Sequence, residues 1–221
     1  MTDILVKLAT CVEFGKVDLN SPYPPEMKNQ EGAFELARQA LDNGVTPTVI
    51  LEEALIPAMS RVGQKFSKGE IFVPQMLMAA KAMSSSMVHL KPYYLSGHTK
   101  RKGTFIIGTV TGDLHDIGKN LVAMMIEGAG WEIIDLGVDV SVDKFLQAVS
   151  VHPDAVLGLS ALLTTTMENM RKTVTAVRER HPGLKILVGG APVTNEFCIK
   201  IGADFYAPDP QGAVDYLKTL E

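Results

Sequence analysis

Cysteine is nearly missing from this chain of 221 residues: the two present, Cys11 and Cys198, fit no disulfide framework. Long apolar runs are missing as well. The longest stretch free of charge, Ala155 to Met167, has 13 residues, well short of the roughly 20 that span a bilayer, so no membrane span is expected. Nor is there a basic surplus. Lys and Arg number 21 against 25 Asp and Glu, a net charge of -4, and binding a phosphate backbone needs clustered positive charge. Nucleic acid is therefore not an expected partner. The opening residues, Met-Thr-Asp-Ile, lack the basic start and apolar stretch of a signal peptide, which makes a reducing cytoplasm the expected setting. No repeat or low-complexity tract appears.

What is present divides in two. Residues 1–100 hold 6 of the 19 glycines and 7 of the 11 methionines, whereas residues 101–221 hold 13 glycines and 4 methionines. In the first half apolar residues recur at helical spacing: Leu51, Leu55, Ala58, Met59, Val62, Phe66, then Val73, Leu77, Ala80, Met83, Met87 and Leu90. Pro47 and Pro74 sit where a first helical turn tolerates proline, and Gly44 is placed to end a helix running from about Met27 to Asn43. Pro57 should kink the third helix. With a short helix from about Asp3 to Gly15, this half reads as a four-helix bundle, and its methionines as adaptable core.

Residues 91–102 have no period and read as a linker between domains at 1–90 and 103–221. Beyond it, short apolar runs (Thr104 to Val110, Trp131 to Leu136, Ala155 to Ser160, Lys185 to Val188, Asp204 to Tyr206) alternate with helical stretches that begin near Ile117, Val142, Met167, Glu196 and Pro210. Five βα units predict an α/β domain with a parallel sheet covered on both faces, most simply in the flavodoxin-like, Rossmann-like order 2-1-3-4-5. Ligands then bind beyond the carboxyl ends of the strands, where the loops after strands one, three and four are neighbours.

Each of those loops carries an unusual string: Gly112-Asp113-Leu114-His115-Asp116-Ile117-Gly118-Lys119-Asn120, then Ser160-Ala161-Leu162-Leu163-Thr164-Thr165-Thr166, then Gly189-Gly190-Ala191-Pro192. An imidazole on such a loop can serve as a metal ligand. Asp113, two residues before His115, can accept the proton of its other ring nitrogen, and Thr166 can hold Asp113. Gly118, Gly189 and Gly190 remove side chains where a large ligand would approach the backbone. Gly108 to Gly112 could instead suggest a flavin phosphate loop, but Asp113 and Asp116 would repel the phosphate. His89, His98, His152 and His181 lie outside metal-ligand spacing, Cys11 and Cys198 read as packing residues, and Asn195 and Asp209 as helix caps.

The three strings together, Asp113-x-His115-x-x-Gly118, 41 intervening residues to Ser160-x-Leu162 and 26 more to Gly189-Gly190, resemble the cobalamin-binding signature of methionine synthase, the corrinoid methyl carriers and the cobalamin mutases. The resemblance implies cobalamin as cofactor, with His115 beneath the cobalt in place of dimethylbenzimidazole and the displaced nucleotide tail in a slot of the sheet domain. Asp113 and Thr166 would support the imidazole; the methionine synthase pattern has serine at the latter, and threonine keeps the hydroxyl. Asp116, Ile117, Gly118, Ser160, Leu162, Thr164, Gly189 and Gly190 are the remaining positions the resemblance marks for the cofactor. The stretch Val62 to Gln75 is similar to the helical cap that precedes the sheet domain in methionine synthase and the methyl carriers, with Phe66, Val73 and Met76 at its contact positions.

In size and layout the chain looks like the corrinoid protein of anaerobic methyltransferase systems. That likeness implies a methyl carrier with no catalytic residues of its own. It would accept a methyl on Co(I) from a substrate-specific methyltransferase and give it up from methyl-Co(III) to a second methyltransferase, with tetrahydrofolate or a thiol as acceptor. A reductive activase would be a further partner. Two rivals are a cobalamin-binding sensory or storage module, for which no DNA-binding or signalling segment is visible, and a mutase subunit, which lacks the cap.

Overall fold

The computed structural model describes residues 3–95 and 101–221, which form a helical unit up to Arg101, joined by Gly128–Gly130, and an α/β unit of Lys102–Glu127 and Trp131–Glu221. The helical unit opens with α1 (Asp3–Phe14). The helix read from about Met27 starts later, as α2 (Ala33–Asp42), with only a single 3-10 turn at Pro25–Met27 before it. Gly32 accounts for the delayed start: its N–H donates to the Glu35 carboxylate at 2.9 Å, closing the first turn of α2.

Next, α3 (Pro47–Val49), capped by the Thr46 hydroxyl, passes into a π-helical turn (Ile50–Leu55) and then α4 (Ile56–Ser67). Pro57 has no N–H to offer the Glu53 carbonyl. Wider winding just ahead of it takes up the defect, so the expected kink becomes a π-turn. The last helix, α5 (Val73–Leu95), continues through Pro92. Residues 91–95 of the expected linker are therefore helical, and 96–100, with His98, lie outside the described residues. The carbonyl that Pro92 leaves without a donor is that of Val88, which is exposed, so water can bond it.

Helix α2 lies against α5, and small buried residues on both (Ala33, Ala37 and Ala40; Ala79, Ala82 and Ser86) allow close approach. Leu51, Leu55, Met59, Val62, Met83, Met87 and Leu90 are buried as the helical period predicts. The reading of α5 departs from the structure only near its start, where Met76 and not Leu77 faces inward. Met76, Ala79, Ala80 and Met83 form the inward stripe, while Leu77 is 40% exposed. On the surface of the unit Glu13 bridges α1 to α4 through Arg61 at 2.6 Å and Lys65 at 2.7 Å.

The α/β unit has β1 (Thr104–Thr109), β2 (Glu132–Asp135), β3 (Val156–Ser160), β4 (Lys185–Gly189) and β5 (Phe205–Tyr206) in the order β2-β1-β3-β4-β5, all parallel. The flavodoxin-like reading holds. Ile107, Gly158, Leu187 and Phe205 are in register across four strands, as are Thr109, Ser160 and Gly189. On one face Ile106, Leu157, Leu159, Ile186 and Val188 pack against α7 (Val142–Val151), α8 (Met167–Arg180) and α9 (Asn195–Ile201). The opposite face, with Phe105, Ile107 and Leu187, is served by α6 (Ile117–Gly128) and α10 (Pro210–Lys218). Asp209 caps α10 as read, but α9 is capped by Thr194 and not by Asn195.

Gly15 ends α1 at a φ of 76°, and a Cβ there would lie 2.6 Å from the Met78 Cβ on α5. Gly15→Ala therefore meets both left-handed strain and a helix that must move. It should lower unfolding stability by about 2–4 kcal/mol, read from the urea midpoint of the whole chain; an unchanged midpoint would show that the turn is free to rearrange.

Candidate functional site

Two loops, at the carboxyl ends of β1 and β3, converge around one buried carboxylate, and the loop after β4 lies beside the second of them, where the Ala161 N–H donates to the Gly189 carbonyl at 3.1 Å. The loop after β1 is held before it reaches the site: Thr111 Oγ1 donates to the Val140 carbonyl at 2.8 Å, Asn169 Nδ2 donates to the Thr111 carbonyl at 2.8 Å, and Gly112 N–H donates to Asp139 Oδ1 at 2.7 Å. Asp139, with a φ of 50°, also gives its own N–H to the Asp113 carbonyl at 3.0 Å. The turn that follows delivers Asp113 into the interior at 0% exposure.

Each Asp113 oxygen is occupied. Oδ1 accepts the His115 backbone N–H at 3.1 Å and faces His115 Nδ1 at 3.0 Å. Oδ2 accepts the Leu162 N–H at 2.7 Å, the Leu163 N–H at 3.3 Å and the Thr166 hydroxyl at 2.8 Å. Burial by itself would push this carboxyl up. The hydrogen bonds from Leu162, His115 and Thr166 more than reverse that and hold it down to about 2, against an ordinary 3.8. Thr166 Oγ1 also lies 2.8 Å from the Leu163 carbonyl; having one proton, it favours the charged acceptor.

An ionised Asp113 accepts only, so the proton of a neutral His115 sits on Nδ1 and the Nε2 lone pair is left for a ligand. The imidazole is 54% exposed, and Thr109 Oγ1 fixes its backbone by donating to the His115 carbonyl at 2.9 Å. On the same two loops Leu114, Ile117, Leu162 and Leu163 are exposed by 73%, 69%, 40% and 40%. An available imidazole nitrogen with exposed apolar side chains on the same loops suits a flat, largely apolar ligand with a metal at its centre. Among the described residues no group of three or more His, Cys, Asp or Glu could hold a metal ion, so a metal bound here brings most of its ligands with it.

From these loops a slot of about 320 Å³ runs between the sheet and helices α6 and α10. Gly118, Ser160, Gly189 and Gly190 line its mouth. Gly190 has a φ of 126° and a Cβ there would fall 1.8 Å from the Ala161 carbonyl oxygen, so no other residue fits this backbone. Of the residues expected at the site, Asp113, His115, Leu162 and Thr166 join the hydrogen-bonded cluster. Asp116 instead accepts from Asn120 Nδ2 at 3.1 Å, and Thr164 is exposed. In the helical unit Phe66 and Val73 are half-buried, and Met76, at 1% exposure, has no surface to give a ligand. The sequence reading passed over Asp139, Asn169, Thr109 and the buried Lys119, whose ammonium bonds Asn120 Oδ1 at 2.7 Å and the Asp135 carboxylate. No spacing rule marks them; only the adjacency of Lys119 to the Gly118 motif was a signal.

Residues 103–214 match a family model described as a B12 binding domain, and residues 29–91 match a second with the same description. The chain belongs to the B12-binding corrinoid proteins. It is 40% identical to the trimethylamine corrinoid protein of Methanosarcina barkeri, over 86% of this chain and 89% of that one. In structure it is similar to the methanol:cobalamin methyltransferase complex MtaBC from Methanosarcina barkeri, with a TM-score of 0.81 at 26% identity over 99% of this chain and 79% of that one. A cobalamin-binding protein from Desulfitobacterium hafniense DCB-2 matches with a TM-score of 0.76 at 27% identity over 100% of both chains.

The cofactor of this corrinoid protein is thus a cobalamin-type corrinoid, and the geometry fits one: a nitrogen donor with its tautomer set, exposed apolar side chains on the same loops and a slot beside it. No helix among the described residues is long and apolar enough to cross a membrane.

Because the folded-state value for Asp113 is depressed, its ionisation stabilises the fold above the ordinary carboxylate range, and this contribution is lost as pH falls through about 2. Urea unfolding of the cofactor-free protein and of Asp113→Asn should therefore converge by about 2 kcal/mol between about pH 5 and about pH 2. A gap that stays constant over that range would mean that Asp113 is not held ionised by its neighbours.

Proposed function

We propose that this protein carries a methyl group between two methyltransferases, holding the corrinoid with His115 Nε2 below the cobalt. The observation that carries the reading is the buried, fully bonded Asp113 that turns Nε2 of an exposed imidazole outward. A bound corrinoid supplies the cobalt that takes up and gives up the methyl group. The chain supplies the rest. Asp113 fixes the imidazole tautomer and orientation, and Thr166 with the Leu162 and Leu163 amides keeps that carboxylate charged. With Nδ1 held by Asp113 at 3.0 Å, Nε2 is the ring atom through which the imidazole would meet the metal.

The slot takes the nucleotide tail, with Ser160, Gly118, Gly189 and Gly190 at its mouth, while Leu114, Ile117, Leu162 and Leu163 lie against the ring. Phe66 and Val73, half-buried in the helical unit, are the residues proposed to shield the methyl from water. The partners are a substrate-specific methyltransferase, a second methyltransferase that passes the methyl to tetrahydrofolate or a thiol, and a reductive activase. The relatives named for trimethylamine support a methylated amine as the donor.

Two measurements test this. Reconstituted with cobalamin and poised as Co(II), the wild type should show nitrogen coupling from His115 in its electron paramagnetic resonance spectrum, and His115→Ala should lose it; identical spectra would remove His115 from the metal. Reduced holoprotein mixed with labelled trimethylamine should acquire no label until a cognate methyltransferase is added, since no group of three or more His, Cys, Asp or Glu among the described residues could hold a metal to activate the amine. Demethylation by the purified chain alone would end the carrier reading.

A further inference from the structure

The slot differs in character along its length, and the difference bears on which corrinoids it accepts. Its polar side chains all belong to the mouth. Ser160 closes β3, Lys119 opens α6 and Asp209 precedes α10. Two of the three are already engaged: Lys119 with Asn120 and Asp135, Asp209 as the cap on the Gly212 N–H at 2.8 Å. Tyr206 borders the slot, but its side chain packs into the core on the other face of the sheet.

Further in, toward the amino ends of the strands, the lining is Phe105, Ile107, Leu187, Leu121, Val122 and Ala213. Gly158 lies among them, and a Cβ on it would sit 2.5 Å from the Phe105 ring, so that ring lies over the strand as a floor. The strand amides and carbonyls at this depth are spent on the β1, β3, β4 and β5 ladders. A heterocycle lodged there finds carbon surfaces and no hydrogen-bonding side chain.

We infer that this slot selects the corrinoid by its lower base, accepting a benzimidazole and discriminating against a purine of the same size. The inference rests on the corrinoid-carrier reading above. Once displaced from cobalt, either base buries the nitrogen it has released. Adenine buries two further ring nitrogens and an exocyclic amine as well, and these lose their water without replacement. The methyl groups of dimethylbenzimidazole, in contrast, gain from leaving water.

The test uses the full chain titrated with cobalamin, with the adeninyl cobamide and with cobinamide, which has no base, followed by absorption changes on binding. Adenine is the weaker ligand for cobalt, so each dissociation constant is referred to the form of the free cobamide with its base detached. On that footing cobalamin should bind at least about tenfold tighter than the adeninyl cobamide, within the range by which an apolar pocket discriminates near-isosteres, and also tighter than cobinamide. Equal constants for the two cobamides, with both bound base-detached, would overturn the selection and leave the carrier reading intact. Failure of both cobamides to bind with the base detached would instead overturn the carrier reading and the selection with it.

Discussion

A carboxylate with no exposed surface has to be given hydrogen-bond donors, and the architecture of the sheet unit around Asp113 is arranged to give them. Five donor groups reach it, from its own loop and from the loop after β3. Leaving such a charge unpaired in an interior would cost several kcal/mol, so the two loops cannot drift apart without a large loss of stability. The same bonds that keep the charge in place aim His115, so fold stability and ligand orientation have one cause. Asp139 extends this rigidity outward by clamping the Gly112 amide and the Asp113 carbonyl from the loop after β2.

Strand order explains why this cluster and the slot share one edge. In the order β2-β1-β3-β4-β5 the chain leaves β1 toward one side and β3 toward the other, so the loops after these neighbouring strands splay and open a crevice. Thr109, Ser160 and Gly189 stand in register at that edge. Small residues at two of the three positions, followed by the left-handed Gly190, leave the backbone itself as the wall. Behind the edge the register brings Ile107, Gly158 and Leu187 together, and Gly158 makes room for the Phe105 ring. A polar entrance and an apolar interior therefore follow from the position of each residue along the same strands.

The helical unit obeys a different rule. Its close helix contacts come from alanine and serine, and its bulk from methionine and leucine, a composition that packs well with few directional constraints. Pro57 and Pro92 are both carried inside helices, one through a wider turn ahead of it and the other near an exposed end.

Strand and helix positions in the α/β half could be read directly, since each buried parallel strand is a short apolar run and each crossover a separate amphipathic stretch. The Asp113 to Gly118 string, with its partners after β3 and β4, was legible for a similar reason: a loop ligand with a neighbouring acceptor uses residues close in the chain. Other features needed the third dimension. Met76 and Leu77 exchange burial because the phase of α5 is set by the helices packed on it, and α2 starts at Ala33 because a Glu35 side chain closes its first turn. The Leu162 and Leu163 amides hold Asp113 through backbone groups, which every residue has and no pattern can single out. Asp139 and Lys119 find their partners 27 and 16 residues away, distances at which only the folded sheet decides who meets whom.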